Sequence, residues 1–279
     1  MFVTVDMRAC VPQWIAKCQL PFSGCLCLRY CVGQIGNWQS ETAKLSVGTS
    51  VYSYKEWKGS FYPENLSAKD MLAFYSERFH AVELNNTFYR TPKPDLVESW
   101  RSQVPENFRF SVKASQGITH FRRLKDATHP TRLMLETISA LDDRLGAVIF
   151  RLPSDMKKDL ERLKTFLKQL PRDTPVAFDF RHPTWFDDDV LELLRNENRA
   201  LVVSDTEDLP TIYREKTADW GYLRLRRMKY TKSELKKWIR WMEAQEWKDT
   251  FVFFRHEDEG TGPKLATQFL KLSSADYTD

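Results

Sequence analysis

Side chains able to do chemistry recur at the ends of short β-rich runs. Glu83, Asn85 and Thr87 close VELNNT, and Lys113 closes FRFSVK with His120 in the loop beyond. Asp179, Arg181, His182 and Trp185 fall within FDFRHPTW, Asp205 ends ALVVSD, and Arg224 and Arg226 alternate with leucines in YLRLRR. Carboxylates beside an imidazole can move protons near neutral pH. Arginine forks match phosphate or carboxylate oxygens. A lysine among cations tends to lose its proton and can then attack a carbonyl. Glu83, Lys113, Asp179, His182 and Asp205 are therefore the catalytic candidates. Tyr52, Trp57, Asn85, Thr87, His120, Arg181, Trp185, Arg224 and Arg226 are the substrate-binding candidates.

The runs carrying these residues alternate with period two. Phe108, Phe110 and Val112 share one face while Arg109, Ser111 and Lys113 share the other; Val82 and Leu84 oppose Glu83 and Asn85. The apolar face must pack on helices, so the charged face points inward. Buried charges cost several kcal/mol unless paired. Internal ion pairs that only hold the fold together would account for one such strand. Four strands of this kind favour a functional mouth, with cations (Lys113, Arg181, Arg224, Arg226) exceeding acids (Glu83, Asp179, Asp205) and a small anionic ligand as the partner.

Stepping outward from these residues, eight strand patterns lie at 45–51, 81–85, 108–113, 146–151, 175–181, 200–205, 221–226 and 250–255. β-branched and aromatic residues dominate them. Helical periodicity fills 157–170 and 231–247, three acids open a helix at 187–198, and helices also fit 67–79, 94–103, 131–142 and 263–273. The stretch 206–219 has no clear helix. Eight strands with alternating crossovers predict an α/β fold, a single (β/α)8 TIM-type barrel over 45–279 with an irregular sixth crossover. A doubly wound sheet is disfavoured because no Gly-rich phosphate loop follows the first strand.

All five cysteines (Cys10, Cys18, Cys25, Cys27, Cys31) fall in the first 31 of 279 residues. Cys27-x3-Cys31 fits half a zinc site, but no histidine precedes His80. Segment 1–44 lacks the apolar run of a signal peptide and is read as an N-terminal extension outside the fold, disordered or arising from a mis-assigned start. The cysteine-free body fits a reducing compartment, so a cytoplasmic location is expected. Net charge is +4, half of it in residues 1–44, which is no bulk signature of nucleic-acid binding. No run approaches the roughly 20 apolar residues of a membrane span.

GTSVYSYKEWKGSFYP (48–63), VELNNTFYR (82–90), FRFSVKA (108–114), ITH (118–120) and FRHPTWF (180–186) together resemble the YecE-like family, the domain of unknown function 72. The resemblance runs from about Val47 to Leu272. It implies a TIM-type barrel and motif roles for Glu83, Asn85, Thr87, Lys113, His120, Arg181 and His182; it implies no activity. Asp179 stands where the family has Glu, and Arg224-Leu225-Arg226-Arg227 where it has Arg-x-His-Gly. Arg255-His256 replaces an Asn-Asn pair, and Leu265 a late Asn. The strand 7–8 half of the mouth is thus altered toward positive charge.

Three functions fit. The first is an enzyme, such as a phosphate-ester hydrolase, acting on a phosphorylated or carboxylated substrate by acid–base or metal-assisted chemistry. For a divalent metal, Glu83, Asp179, His182, Asp205 and His256 are the available ligands, without a spacing motif. The second is a Schiff-base lyase using Lys113, set against a Lys113 that only pairs with Glu83 or an anion. The third is a non-catalytic nucleotide or nucleic-acid binder, with Tyr52, Tyr54, Trp57, Phe88, Tyr89 and Trp185 as stacking rings. His182 also has a structural reading, because it precedes Pro183.

Overall fold

The structure, a computed structural model, describes residues 44–207, 211–256 and 258–275. The reading of segment 1–44 therefore lies, but for Lys44, outside the described residues. Eight parallel strands close into a barrel in sequence order: β1 Lys44–Ser50, β2 Ala81–Leu84, β3 Arg109–Lys113 and β4 Leu145–Arg151, then β5 Val176–Asp179, β6 Ala200–Asp205, β7 Gly221–Leu225 and β8 Asp249–Phe254.

Helices follow the strands: α1 Met71–Ser76, α2 Pro94–Ser102, α3 Thr128–Ile138, α4 Leu160–Leu167, α5 Asp188–Asn196, α6 Lys232–Glu243 and α7 Thr261–Ala275. Local chemistry fixes several starts. Pro94 opens α2, where its missing N–H costs nothing. The Asp159 side chain accepts from Arg162 N at the head of α4. Thr231 and Glu234 form a reciprocal capping box on α6. The sixth crossover, between β6 and β7, has no helix among its described residues, as the lack of periodicity there predicts. Helix α1 is shorter than the expected 67–79, because residues 68–70 form turns instead.

Two apolar layers surround the strands. The outer one joins Val82, Leu84, Phe110, Val112, Phe178 and Leu223 to helix residues such as Leu163, Leu194, Trp238 and Phe269. The inner one fills the barrel with Ala81, Ala147, Ile149, Ala177 and Val202 around Trp220, Tyr222, Phe251 and Phe253. Small and large residues must alternate for such an interior to fill. Gly146 is part of this fit, since a Cβ there would stand 2.8 Å from the Phe251 ring. The alternation read from the sequence is therefore real: apolar faces meet helices, and the polar face of several strands lies inside.

Candidate active site at the barrel mouth

Register places the polar interior in one layer near the strands' C-terminal ends. Ser50 pairs across to Glu83, Glu83 to Ser111, Arg151 to Asp179, and Ser204 to Arg224. Inside this ring Arg224 joins the two carboxylates, donating from Nη2 to Glu83 Oε1 at 2.7 Å and from Nη1 to Asp179 Oδ2. Tyr222 donates to Glu83 Oε2 at 2.7 Å and makes a hydrogen bond of the same length with Ser111 Oγ. Asn85 Nδ2 donates to Glu83 Oε1 at 3.0 Å, and Arg226 Nη2 lies 3.6 Å from the same oxygen. Around Asp179, Arg181 Nε stands 3.1 Å from Oδ1 and Arg151 Nε 3.8 Å from Oδ2.

The electrostatics follow from this packing. Burial pushes the Glu83 carboxyl up, but Arg224 and Arg226 outweigh it and hold the group at about 2. Asp179 behaves alike, held below the usual carboxylate range by Arg181, Arg224 and Arg151 against its burial. Both stay ionised at neutral pH and act as anchors for arginines. Lys113 is different. Its residue is 8% exposed, its Nζ sits 3.9 Å above the Phe88 ring centre, and no carboxylate pairs with it among the described residues. Burial first, then Arg224, lower it to about 7 despite the pull of Glu83. Burial and the nearby arginines also lower Arg151 to about 10 and push Arg226 well below its ordinary range.

Five cationic groups (Lys113, Arg151, Arg181, Arg224, Arg226) thus face two carboxylates. Above them a cavity of about 320 Å³ opens between Arg151, Arg181, Arg226 and Arg255, with Glu207, His256 and Asp258 on its wall. Buried atoms without a hydrogen-bond partner cluster in the same layer: Ser50 Oγ, Ser204 Oγ, Asp179 Oδ1 and the Nε atoms of Arg181, Arg224 and Arg226, with His256 Nε2 at the wall. His256 also holds φ +152°, a region that non-glycine residues rarely adopt. A larger cavity of about 710 Å³ lies at the opposite end, among strand starts such as Lys44, Arg109 and Lys248. Size alone would choose it, but barrel chemistry sits at strand C-terminal ends, where the ion network is.

Of the sequence candidates, Glu83, Asn85, Lys113, Asp179, Arg181, Arg224 and Arg226 come together. His120 lies at the β3 rim, its ring 4.9 Å from Phe88 and its Nδ1 2.9 Å from Thr119 Oγ1. Burial, Lys113 and Arg151 hold its pKa down. Thr87 buttresses the site, donating to Leu84 O and Lys113 O. Other candidates are not brought into the mouth. Asp205 faces outward and accepts from Arg227 Nε and from Trp238 Nε1 on α6, because Val202 and Ser204 occupy the inward phase of β6. Tyr52 and Trp57 pack with the outer core, and Trp185 stacks on Phe180 while donating to Met156 O. His182 caps the turn Pro183–Phe186 through its Nδ1, in line with its structural reading. The five metal-ligand candidates do not converge; among the described residues no three His, Cys, Asp or Glu side chains group closely enough to hold an ion.

Arg151, Ser204 and Tyr222 belong to the site and were not among the sequence candidates. Period two could have found them: Arg151 continues the inward face of Ala147 and Ile149, Ser204 that of Val202, and Tyr222 that of Arg224.

An eight-stranded parallel barrel with a cation-rich ion network at its C-terminal mouth defines a TIM-type barrel protein. The chain belongs to the DUF72 family: residues 46–279 match the family described as "Protein of unknown function DUF72". It is 26% identical over 260 residues to the UPF0759 protein YunF of Bacillus subtilis (strain 168), covering 78% of this chain and 92% of that protein. To the UPF0759 protein YecE of Escherichia coli (strain K12) it is 34% identical over 113 residues, 40% of this chain and 42% of that one. Among solved structures, a DUF72 family protein from Thermotoga maritima MSB8 superposes with a TM-score of 0.73 at 27% identity, over 83% of this chain and 99% of the other. One from Enterococcus faecalis V583 gives 0.68 at 19%, over 84% and 99%. Among the described residues, no helix is long and apolar enough to cross a membrane.

Proposed function

We propose that the barrel mouth binds a small phosphorylated or carboxylated substrate, and that the protein is an enzyme moving a proton on it. One observation carries this reading: the interior layer holds five cationic groups against two carboxylates. Arg224 Nε, Arg226 Nε, Ser50 Oγ and Ser204 Oγ are buried without acceptors among the described residues. An unpaired buried donor costs about 1–3 kcal/mol, and more when charged, so an anion in the cavity that Arg226 lines would relieve that part of the cost. Fold-level analogy agrees, because barrels often bind phosphate at the loops after strands 7 and 8. Arg226, Arg255 and His256 are the residues of those loops here.

Glu83 and Asp179 hold the arginines in place, and Lys113, near 7, is a group able to give or take a proton at neutral pH. A panel of phosphate esters and carboxylated metabolites tests the reading. Turnover of one, lost in Lys113→Met while affinity at pH 8, where the amine is mostly uncharged, survives, supports it; no binding across the panel overturns it.

The same lysine supports a second reading. An amine near 7 without a carboxylate partner is suited to Schiff-base formation. Borohydride trapping with carbonyl substrates would have to label Lys113. The nucleic-acid reading loses Tyr52, Trp57 and Trp185 as stacking rings, since all three are engaged in packing.

A further inference from the structure

The rim after β2 and β3 carries a feature that anion binding alone leaves unused. Tyr89 and Phe121 are 72% and 76% exposed, while most other aromatic rings among the described residues pack into the core. Single exposed rings are ordinary on protein surfaces. These two, however, are tied to the cationic mouth through shared neighbours. Phe88 carries the Lys113 ammonium 3.9 Å above its ring, meets Tyr89 edge-on at 5.1 Å, and meets His120 edge-on at 4.9 Å. Phe121 follows His120 and ends the π-helical turn Gly117–Phe121, a turn type enriched at functional sites.

We infer that the anionic substrate is a nucleoside monophosphate, its phosphate among Arg151, Arg181 and Arg226 and its base against Tyr89 and Phe121. The inference rests on the anion-binding reading and adds the chemical class. Geometry favours a ligand longer than an aryl phosphate. The arginines come from β4, β5 and β7, whereas the rings follow β2 and β3. β4 is the neighbour of β3, so Arg151 lies on the rings' side. But β7 is across the barrel, about 15 Å away for a strand spacing of about 4.8 Å and a tilt of about 36°, so it is Arg226 that sets the reach. A sugar between phosphate and base supplies that reach. The aromatic faces are sequence-tolerant platforms for a base, and the arginines supply the charge that a 5′-phosphate needs.

Binding of adenosine 5′-monophosphate, ribose 5-phosphate and inorganic phosphate to the full chain tests this. The base should tighten binding roughly tenfold over ribose 5-phosphate. In the double variant Tyr89→Ser, Phe121→Ser that gain should vanish while ribose 5-phosphate binds as before; both side chains are exposed, so folding is spared. Equal affinities of the two sugar phosphates in the wild type overturn the inference and leave anion binding standing. A base preference that survives the double variant also overturns it. Failure of all three compounds to bind overturns the inference and the phosphate form of the anion-binding reading together.

Discussion

Arg224 and Glu83 form an ion pair at 2.7 Å in which neither side chain is exposed. The other arm of the same guanidinium reaches Asp179, so one cation bridges two buried acids from opposite parts of the barrel. Burial opposes the charge on Arg224, but the two carboxylates outweigh it and raise its pKa. That relationship makes Arg224 a keystone of the site rather than a clamp for ligand.

Removing the keystone should therefore unfold the mouth. Arg224→Met leaves two ionised carboxylates short of their central partner, a defect worth about 3–5 kcal/mol. Urea unfolding at pH 7 measures it, and a loss under about 1 kcal/mol would contradict the bridging role.

Acid should act through the same pair. Glu83 is held at about 2 against an ordinary 4.5, so its pairing contributes stability above pH 4.5 that is lost as pH falls through about 2. The linked change is on the order of 3 kcal/mol. Glu83→Gln should be less stable than the wild type at neutral pH, yet flatter in stability between pH 4.5 and 2. Equal slopes for the two proteins would contradict the assignment.

Lys113 should make anion binding pH-dependent. Its charge is present below about 7 and lost above it. Sulfate, a dianion throughout this range, should therefore bind several-fold more tightly at pH 6 than at pH 8. Lys113→Met should flatten the profile, and a wild-type profile already flat would place the amine away from the anion.

Asp205 separates scaffold from site. Asp205→Asn weakens its contacts with Arg227 and Trp238 and should cost about 1–3 kcal/mol of stability while leaving sulfate affinity unchanged. A drop in affinity without a drop in stability would return Asp205 to the mouth.

The barrel was legible in the chain because eight short β-rich runs each announce themselves, and the period-two alternation tells which faces meet helices. Glu83, Lys113, Asp179, Arg224 and Arg226 were legible for the same reason. Asp205 is harder to place, because its charge points to the mouth while its phase points outward: Val202 and Ser204 already hold the inward positions of β6. Arg151 is inconspicuous because its strand, LGAVIFR, reads as continuously apolar until its last residue. Tyr52, Trp57 and Trp185 lie just past strand ends, where sequence periodicity stops and loop packing decides which way a ring turns.

Arg226 offers the most direct test of the central claim. Its side chain is 7% exposed, its one close carboxylate among the described residues is the already shared Glu83 at 3.6 Å, and burial with Arg224 pushes its pKa well below its ordinary range. Its charge is thus a cost to the fold until an anion arrives. Urea unfolding of the wild type and Arg226→Met, each with and without sulfate, reads this out. The anion-site account predicts a variant at least as stable as the wild type without sulfate, and stabilisation by sulfate of the wild type alone. A variant several kcal/mol less stable in sulfate-free buffer, with sulfate shifting neither protein, would contradict it.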